Sequence, residues 1–409
     1  MTISTPIADA NALRIGGLDG LLFAGLFVTI AASGFVMSEP APYDGLMALL
    51  IFAALVAGLR VQRGLGAMFV MVALVVAADA AASTLANNID YSLKHSLVTV
   101  YLSASAVFFA CLVAVAPDRT MAVLIPAQVI AGLATAGAAI AGIMAVHPLA
   151  GELFTEFGRA KGAFKDANVM APFLMLPIIF GLDRLMTRSL RRSFHWVPIL
   201  IVLVLAVFLS FSRGAWVHLI VSGATYFGFL LLTAPDTVSR ARAVGLALAG
   251  GVALVFAITA VASIDGIGNL FAERASLAQS YDSGESGRFV GQLKALQLIT
   301  EHPFGLGAGD FADLHGEEVH NVYLNHFANA GWIGGFSYLA LVIATLVIGI
   351  NTALRRSQFQ SAAMVLVAVL AGVAVEGLVV DTDHWRHFYL IVGLIWGHAA
   401  AARAGRAAM

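Results

Sequence analysis

Long apolar runs are the feature that most restricts what this chain can become. About twelve of them recur along its 409 residues, near 20–36, 44–59, 64–82, 98–116, 121–145, 168–182, 196–211, 214–233, 243–262, 332–351, 360–380 and 387–402. Most approach the ~20 residues that a helix needs to cross a hydrocarbon core of roughly 30 Å. The composition agrees, with 60% hydrophobic and 11% charged residues, against about 45–50% and 25% in a soluble protein. The expected fold is therefore an all-α polytopic membrane protein of about 12 transmembrane helices, which excludes soluble enzymes, disordered tails and disulfide scaffolds. A net charge of −1 gives no bulk attraction to nucleic acid, and the single Cys111 can form no intrachain disulfide. The first apolar run follows a polar start without a small-residue cleavage site, so no cleavable signal peptide is expected.

The arginines choose a side. With the N-terminus cytoplasmic, the inner connections and termini carry Arg14, Arg60, Arg63, Arg119, Arg184, Arg188, Arg191, Arg192, Arg240, Arg242, Arg355, Arg356, Arg403 and Arg406. The other face receives nine of the 23 Lys and Arg residues. Short basic inner connections predict both termini in the cytoplasm and an even number of spans. The layout divides into a nine-span region (1–262), one long polar loop outside the cytoplasm (263–331) and a three-span region (332–409). A membrane protein that places its one long loop on the outer face is expected to work there.

Several outer-face segments carry chemistry. Ser210 to Trp216 puts Arg213 where two apolar runs meet, a costly place for a charge unless it snorkels to the headgroups or is paired in a cavity. In the long loop, Arg274 follows Glu273, and Arg288 follows Ser283-Gly284-Glu285-Ser286-Gly287 at the start of a helix expected over 289–300. A cation at a helix N-terminus opposes the dipole, and an anion would compensate. Because guanidinium groups hold phosphate bidentately and stay charged, Arg213, Arg274 and Arg288 could form a pyrophosphate clamp; solvation or pairing with Glu273 and Glu285 is the structural alternative.

The run His302-Pro303-Phe304-Gly305-Leu306-Gly307-Ala308-Gly309 reads as a tight turn, since no strand precedes it and no Lys-Ser/Thr follows it. Beyond it, His320 is the candidate general base, with Glu317 or Glu318 available to orient it. Arg159, Lys161 and Asn168 belong to a basic, Gly-containing entry to the sixth span that could attract anionic headgroups or hold a phosphorylated lipid. The paired aspartates of Asp381-Thr382-Asp383-His384-Trp385-Arg386-His387 have metal-binding spacing, but a helix cap with Arg386 pairing is expected to account for them, and no metal or cofactor is expected. Within the spans, Asp79 and Glu376 are costly enough to be expected in a cavity.

Taken in order, Gly162-x-Phe164-x-Asp166-x-Asn168, Ser212-Arg213-Gly214-Ala215-Trp216, Ser286-x-Arg288, Glu301-His302-Pro303-x-Gly305-x-Gly307 and His320-Asn321-x-Tyr323-Leu324 resemble the bacterial O-antigen ligase and O-antigen polymerase superfamily. The resemblance covers residues 158–335 and departs from the family pattern at Lys161, Ala167 and Asp310. It implies a GT-C-type membrane glycosyltransferase of the bacterial inner membrane. Such an enzyme acts at the periplasmic face on a glycan linked to undecaprenyl pyrophosphate, without metal or nucleotide. It also implies that His320 is the catalytic histidine and that Arg213 and Arg288 act on the pyrophosphate; beside them, Arg274, Arg159, Lys161, Asn168, Asn321, Tyr323 and Glu318 are expected to contact substrate. The acceptor would be lipid A-core for a ligase and a growing glycan for a polymerase, with a protein acceptor as a third choice. A twelve-span transporter is the rival of another class; it predicts a six-plus-six repeat, and none is visible.

Overall fold

A computed structural model describes residues 19–263, 268 and 287–407. Arg274 lies outside the described residues, as do 264–267 and the rest of 269–286, between the ninth and tenth apolar runs. The fold is nearly all-α, and every expected apolar run lies on a helix or a helix pair. The first half contains α1 (Asp19–Ala32), α2 (Pro42–Val56), α3 (Gly66–Ser83), α4 (Ile89–Val115) and α5 (Pro117–Ile143). It continues through α6 (Pro148–Phe154), α7 (Ala167–Phe173), α8 (Met175–Thr187), α9 (Leu190–Ser193), α10 (Trp196–Leu209), α11 (Arg213–Thr233) and α12 (Thr237–Ala262). After the undescribed segment come α13 (Arg288–Glu301), α14 (Asp310–His315), α15 (Val322–Ala353), α16 (Gln360–Glu376) and α17 (Arg386–Ala407).

Six described segments are helical, long and apolar enough to cross a membrane: Arg63–Ser83, Ile89–Val115, Pro117–Ile143, Ala167–Thr187, Arg213–Thr233 and Val322–Ala353. Four shorter apolar helices, α1, α2, α10 and α16, accompany them. These six are what length and composition establish, against the twelve expected. The fold also departs from a purely helical one. Thr155–Glu156 and Arg159–Ala160 pair as a short antiparallel hairpin, turned by Phe157 and Gly158 at positive φ.

Small residues let α17 approach α4 closely. A Cβ at Gly393 would collide with the Ala106 carbonyl, and one at Gly397 would lie 2.8 Å from the Ala110 carbonyl. Such contacts drive helix association where lipid is as apolar as leucine. A bidentate ion pair adds to this: Arg386 at the start of α17 donates to both oxygens of Asp44 on α2, at 2.7 Å each.

Helix α15 begins ten residues before the expected tenth span, and it is broken at Gly331, where φ is 67° and ψ −168°. The break frees carbonyls inside the fold, and the Pro303–Gly309 turn supplies their donors. Leu306 N donates to Ala328 O at 2.8 Å and Gly307 N to Asn329 O at 3.0 Å, while Trp332 N donates to Pro303 O at 2.9 Å. Gly331 and Gly305 meet backbone to backbone, so no side chain fits at either position. The glycines thus make a tight turn, as expected, and its purpose is to plug a helix break. Asp310, the departure from the family pattern, anchors the same turn: the backbone and side-chain N–H groups of Asn87 donate to its carboxylate at 2.9–3.1 Å.

Candidate functional site

Three segments far apart in sequence converge on His320. The residue has φ 51°, a left-handed conformation that costs a non-glycine residue about 1–3 kcal/mol and is concentrated at functional sites. Asp381, after α16, secures it: the His320 backbone N–H donates to Oδ2 at 3.1 Å, and the same oxygen lies 3.8 Å from Nδ1. On the other side of the ring, Nε2 is 3.6 Å from Glu317. Gln292, one turn into α13, donates from Nε2 to the carbonyls of His320 and Leu378, at 3.2 and 3.1 Å. Of the two glutamates considered for the imidazole, Glu317 faces it. The Glu318 carboxyl has its pKa raised by burial and then by the charge of Asp383.

Electrostatics leave His320 a neutral base at neutral pH. Burial, and then the positive charge of Arg288, push its pKa below the usual histidine value, against the pull of Glu317. The same influence shows that Arg288, the first residue of α13, lies within electrostatic reach of the ring, and the helix starts where the sequence suggested. Asp381 shifts the opposite way. Its burial, with Asp383 and Glu318 nearby, raises its pKa to about 8, so it carries a proton at neutral pH.

Asn321 and Tyr323 build the seat. The Asn321 side chain caps α15, accepting from Tyr323 N and Leu324 N at 3.1 Å each, and donates to Leu378 O at 3.1 Å. The Tyr323 hydroxyl donates to Ala374 O at 2.7 Å. Val322 N donates to Gly377 O at 2.9 Å. These bonds tie the start of α15 to the end of α16.

Arg213 opens α11, whose cap is Ser212, directly after Phe211 at φ 49°. Arg159 braces that turn, donating from Nε to Ser210 O at 2.9 Å and from a terminal nitrogen to Asn168 Oδ1 at 2.6 Å. Asn168 in turn sits on the cap of α7, made by Asp166. Three expected residues, Arg159, Asn168 and Arg213, thus meet at one corner. Lys161 is half-buried in the adjoining strand exit, where its N–H donates to Phe154 O at 3.0 Å. That corner reaches toward α16 through Gly214, whose Cβ, if present, would lie 2.9 Å from Glu376. Glu376 is buried and bonds His218 Nδ1 at 2.8 Å.

The expectation for residues 381–387 needs correction. Arg386 is taken by Asp44, and the two aspartates serve histidines instead: Asp381 holds His320, and Asp383 lies 3.7 Å from His95 Nε2. His95 Nδ1 is 3.8 Å from the buried Asp79, and the His95 ring lies against that of His384, tilted, with centroids 4.1 Å apart. Burial would raise the pKa of Asp383, but His384, His95 and His326 hold it well below the carboxylate range; burial lowers His384 to about 4. Among the described residues, His95, Asp383 and His384 are the group able to offer three ligand atoms to a metal, lying within 4.8 Å of one another. An imidazole between two carboxylates accounts for this arrangement by charge pairing alone. The sequence signal for the cluster is the spacing of Ser92, His95, Ser96 and Thr99, a polar stripe along one face of the first half of α4.

Apolar helices packed around buried His–carboxylate pairs, with arginines at helix starts, define a helical membrane protein with a polar site at one end of the bundle. Residues 198–339 match the family model described as O-Antigen ligase, so this segment is similar to the O-antigen ligase-like superfamily, a family of membrane glycosyltransferase-like enzymes. The match takes in Arg213, Arg288, the Pro303–Gly309 turn and His320; Arg159, Lys161, Asn168 and Asp381 fall outside it. A search of curated proteins finds no match to the chain.

Proposed function

We propose that the protein is an O-antigen ligase of the GT-C type. It transfers a glycan from undecaprenyl pyrophosphate to a hydroxyl of lipid A-core at the periplasmic face of the bacterial inner membrane. The observation that carries this reading is the seating of His320: half-buried, neutral at neutral pH, held by Asp381 and Glu317, and within reach of the charge of Arg288. The acceptor hydroxyl attacks the anomeric carbon, His320 takes the hydroxyl proton, and the bond to pyrophosphate breaks with its electron pair leaving on oxygen. Arg213 and Arg288 neutralise the charge growing on that leaving group, so the arginines do most in the transition state. In-line attack inverts the anomeric centre. Lys161 and Arg274 are further contacts proposed for the anionic donor, while Arg159, Asn168, Asn321 and Tyr323 hold the frame that presents the arginine and the base. The distribution of arginines supports cytoplasmic termini, an even number of spans and a periplasmic site.

A polymerase uses the same donor and would share all these residues. Reconstitution of the full chain with lipid-linked glycan separates the readings. Transfer to purified lipid A-core supports the ligase, whereas elongation of lipid-linked repeats without that acceptor supports the polymerase. No transfer in either arm by an intact preparation overturns both.

A further inference from the structure

A cavity of about 210 Å3 lies between α1, α5, α7 and α17, with Asp381 but not His320 in its lining. Its polar lining is unusual. Gln128 is 1% exposed in the middle of the apolar α5, and neither amide heteroatom has a hydrogen-bond partner. His387 Nε2 and Asp381 Oδ1, in the same lining, are likewise buried and unpartnered. Burying an unpaired amide costs about 1–3 kcal/mol, so three such groups around one cavity call for a ligand that supplies both donors and acceptors.

The remaining walls narrow the chemistry. Phe164 and Phe173 lie 5.2 Å apart, Phe173 meets the edge of His387, and Trp385 leans on His387 at 5.0 Å, giving a nearly continuous aromatic surface. Aromatic faces are electron-rich and attract the C–H-bearing faces of a sugar ring. The charges at the rim are already matched: Lys165 bonds Glu39 at 3.2 Å, Arg386 holds Asp44, and Asp166 caps α7. An anionic ligand would have to displace Glu39 or Asp44 from its cation. A neutral one with hydroxyls loses nothing.

The geometry points to this cavity as a carbohydrate subsite for one uncharged hexose or N-acetylhexosamine residue of the glycan, with Gln128 and His387 bonding its hydroxyls and Asp381 linking it to the base. The inference rests on the glycan-transfer reading and names the sugar class that reading leaves open. The same ring could belong to donor or acceptor, and kinetics distinguish the two.

Saturation-transfer NMR on the full chain in nanodiscs tests it, with D-glucose, D-galactose and N-acetyl-D-glucosamine as probes and D-glucuronate as the charged control. Gln128→Leu removes a buried amide that has no internal partner, so folding is retained; Val169→Phe, from the same lining, fills the cavity instead. Neutral sugars should give transfer in the wild type, and apparent affinity should fall about tenfold in Gln128→Leu, the scale of one lost hydrogen-bonded pair. With purified lipid-linked glycan and lipid A-core, the same variant should raise KM for whichever substrate places its sugar there. No saturation of any neutral sugar, equal signals in wild type and both variants, or glucuronate as strong as glucose would each overturn the subsite. His320→Ala should keep the sugar signal, so loss of transfer in that variant bears on the catalytic reading alone.

Discussion

Asp381 holds His320 at two points with one oxygen: Oδ2 accepts the His320 backbone N–H at 3.1 Å and lies 3.8 Å from its Nδ1. The carboxyl therefore fixes both the strained backbone and the ring that it orients. A protonated acid is seated against a neutral base, with pKa values pushed in opposite directions by their surroundings.

Asp381 should impose a pH signature on stability. Its folded-state pKa of about 8 lies above the ordinary value of 3.8, so the native protein keeps a proton that the unfolded chain releases. This stabilisation is complete below the ordinary value and is lost as pH rises through about 8. In thermal unfolding across that window, Asp381→Asn should flatten the fall seen in the wild type. An identical fall in both proteins would contradict the assignment.

His320→Ala should lower turnover by about two to four orders of magnitude, the usual worth of a general base, with donor binding largely retained. His320→Gln keeps hydrogen bonding but accepts no proton, and it should be nearly as inactive. Wild-type turnover should fall in acid, with its midpoint below the ordinary histidine pKa. Substantial turnover by the Gln variant with an unchanged acid limb would leave His320 a positioning residue.

Arg213→Lys and Arg288→Lys retain charge but lose the planar fork. Each should impair transfer strongly while expression and thermal unfolding stay near wild type. Near-normal rates in both would argue against bidentate contact with pyrophosphate.

Gly331→Ala combines a positive φ with a collision against the Pro303 carbonyl. It should destabilise the protein by more than about 1–3 kcal/mol, the cost of a strained non-glycine residue alone. Chemical denaturation of the purified protein measures this, and a loss under that range would mean that the turn can withdraw from the break.

Much of this was legible in the chain. Apolar length located the helices, the glycines after Pro303 announced a turn, and the start of α13 at Arg288 and the exposure of His320 to Glu317 could be read from neighbouring residues. Local pattern says nothing about partners brought together by packing. Arg386 looked like the natural mate of the aspartates beside it, yet its partner is Asp44, 342 positions away. The same holds for Asp381 and Asp383, whose partners His320, just before α15, and His95, on α4, are distant in sequence. Short apolar helices such as α10 do not declare by length alone whether they span, so length and composition establish six crossings where twelve apolar runs are expected.

The interruption at Gly331 has a mechanical consequence. The stub from Val322 to Ala330 is bolted to α16 and to the Pro303–Gly309 turn, while the stretch beyond it is the part embedded among apolar helices. Tilting of that long stretch, as when the bilayer thickens or thins, is absorbed at a joint with no continuous helical ladder. His320, seated before the stub, is thereby set apart from movements of the long stretch, and its position answers to the Pro303–Gly309 turn and the end of α16 instead of to bilayer thickness.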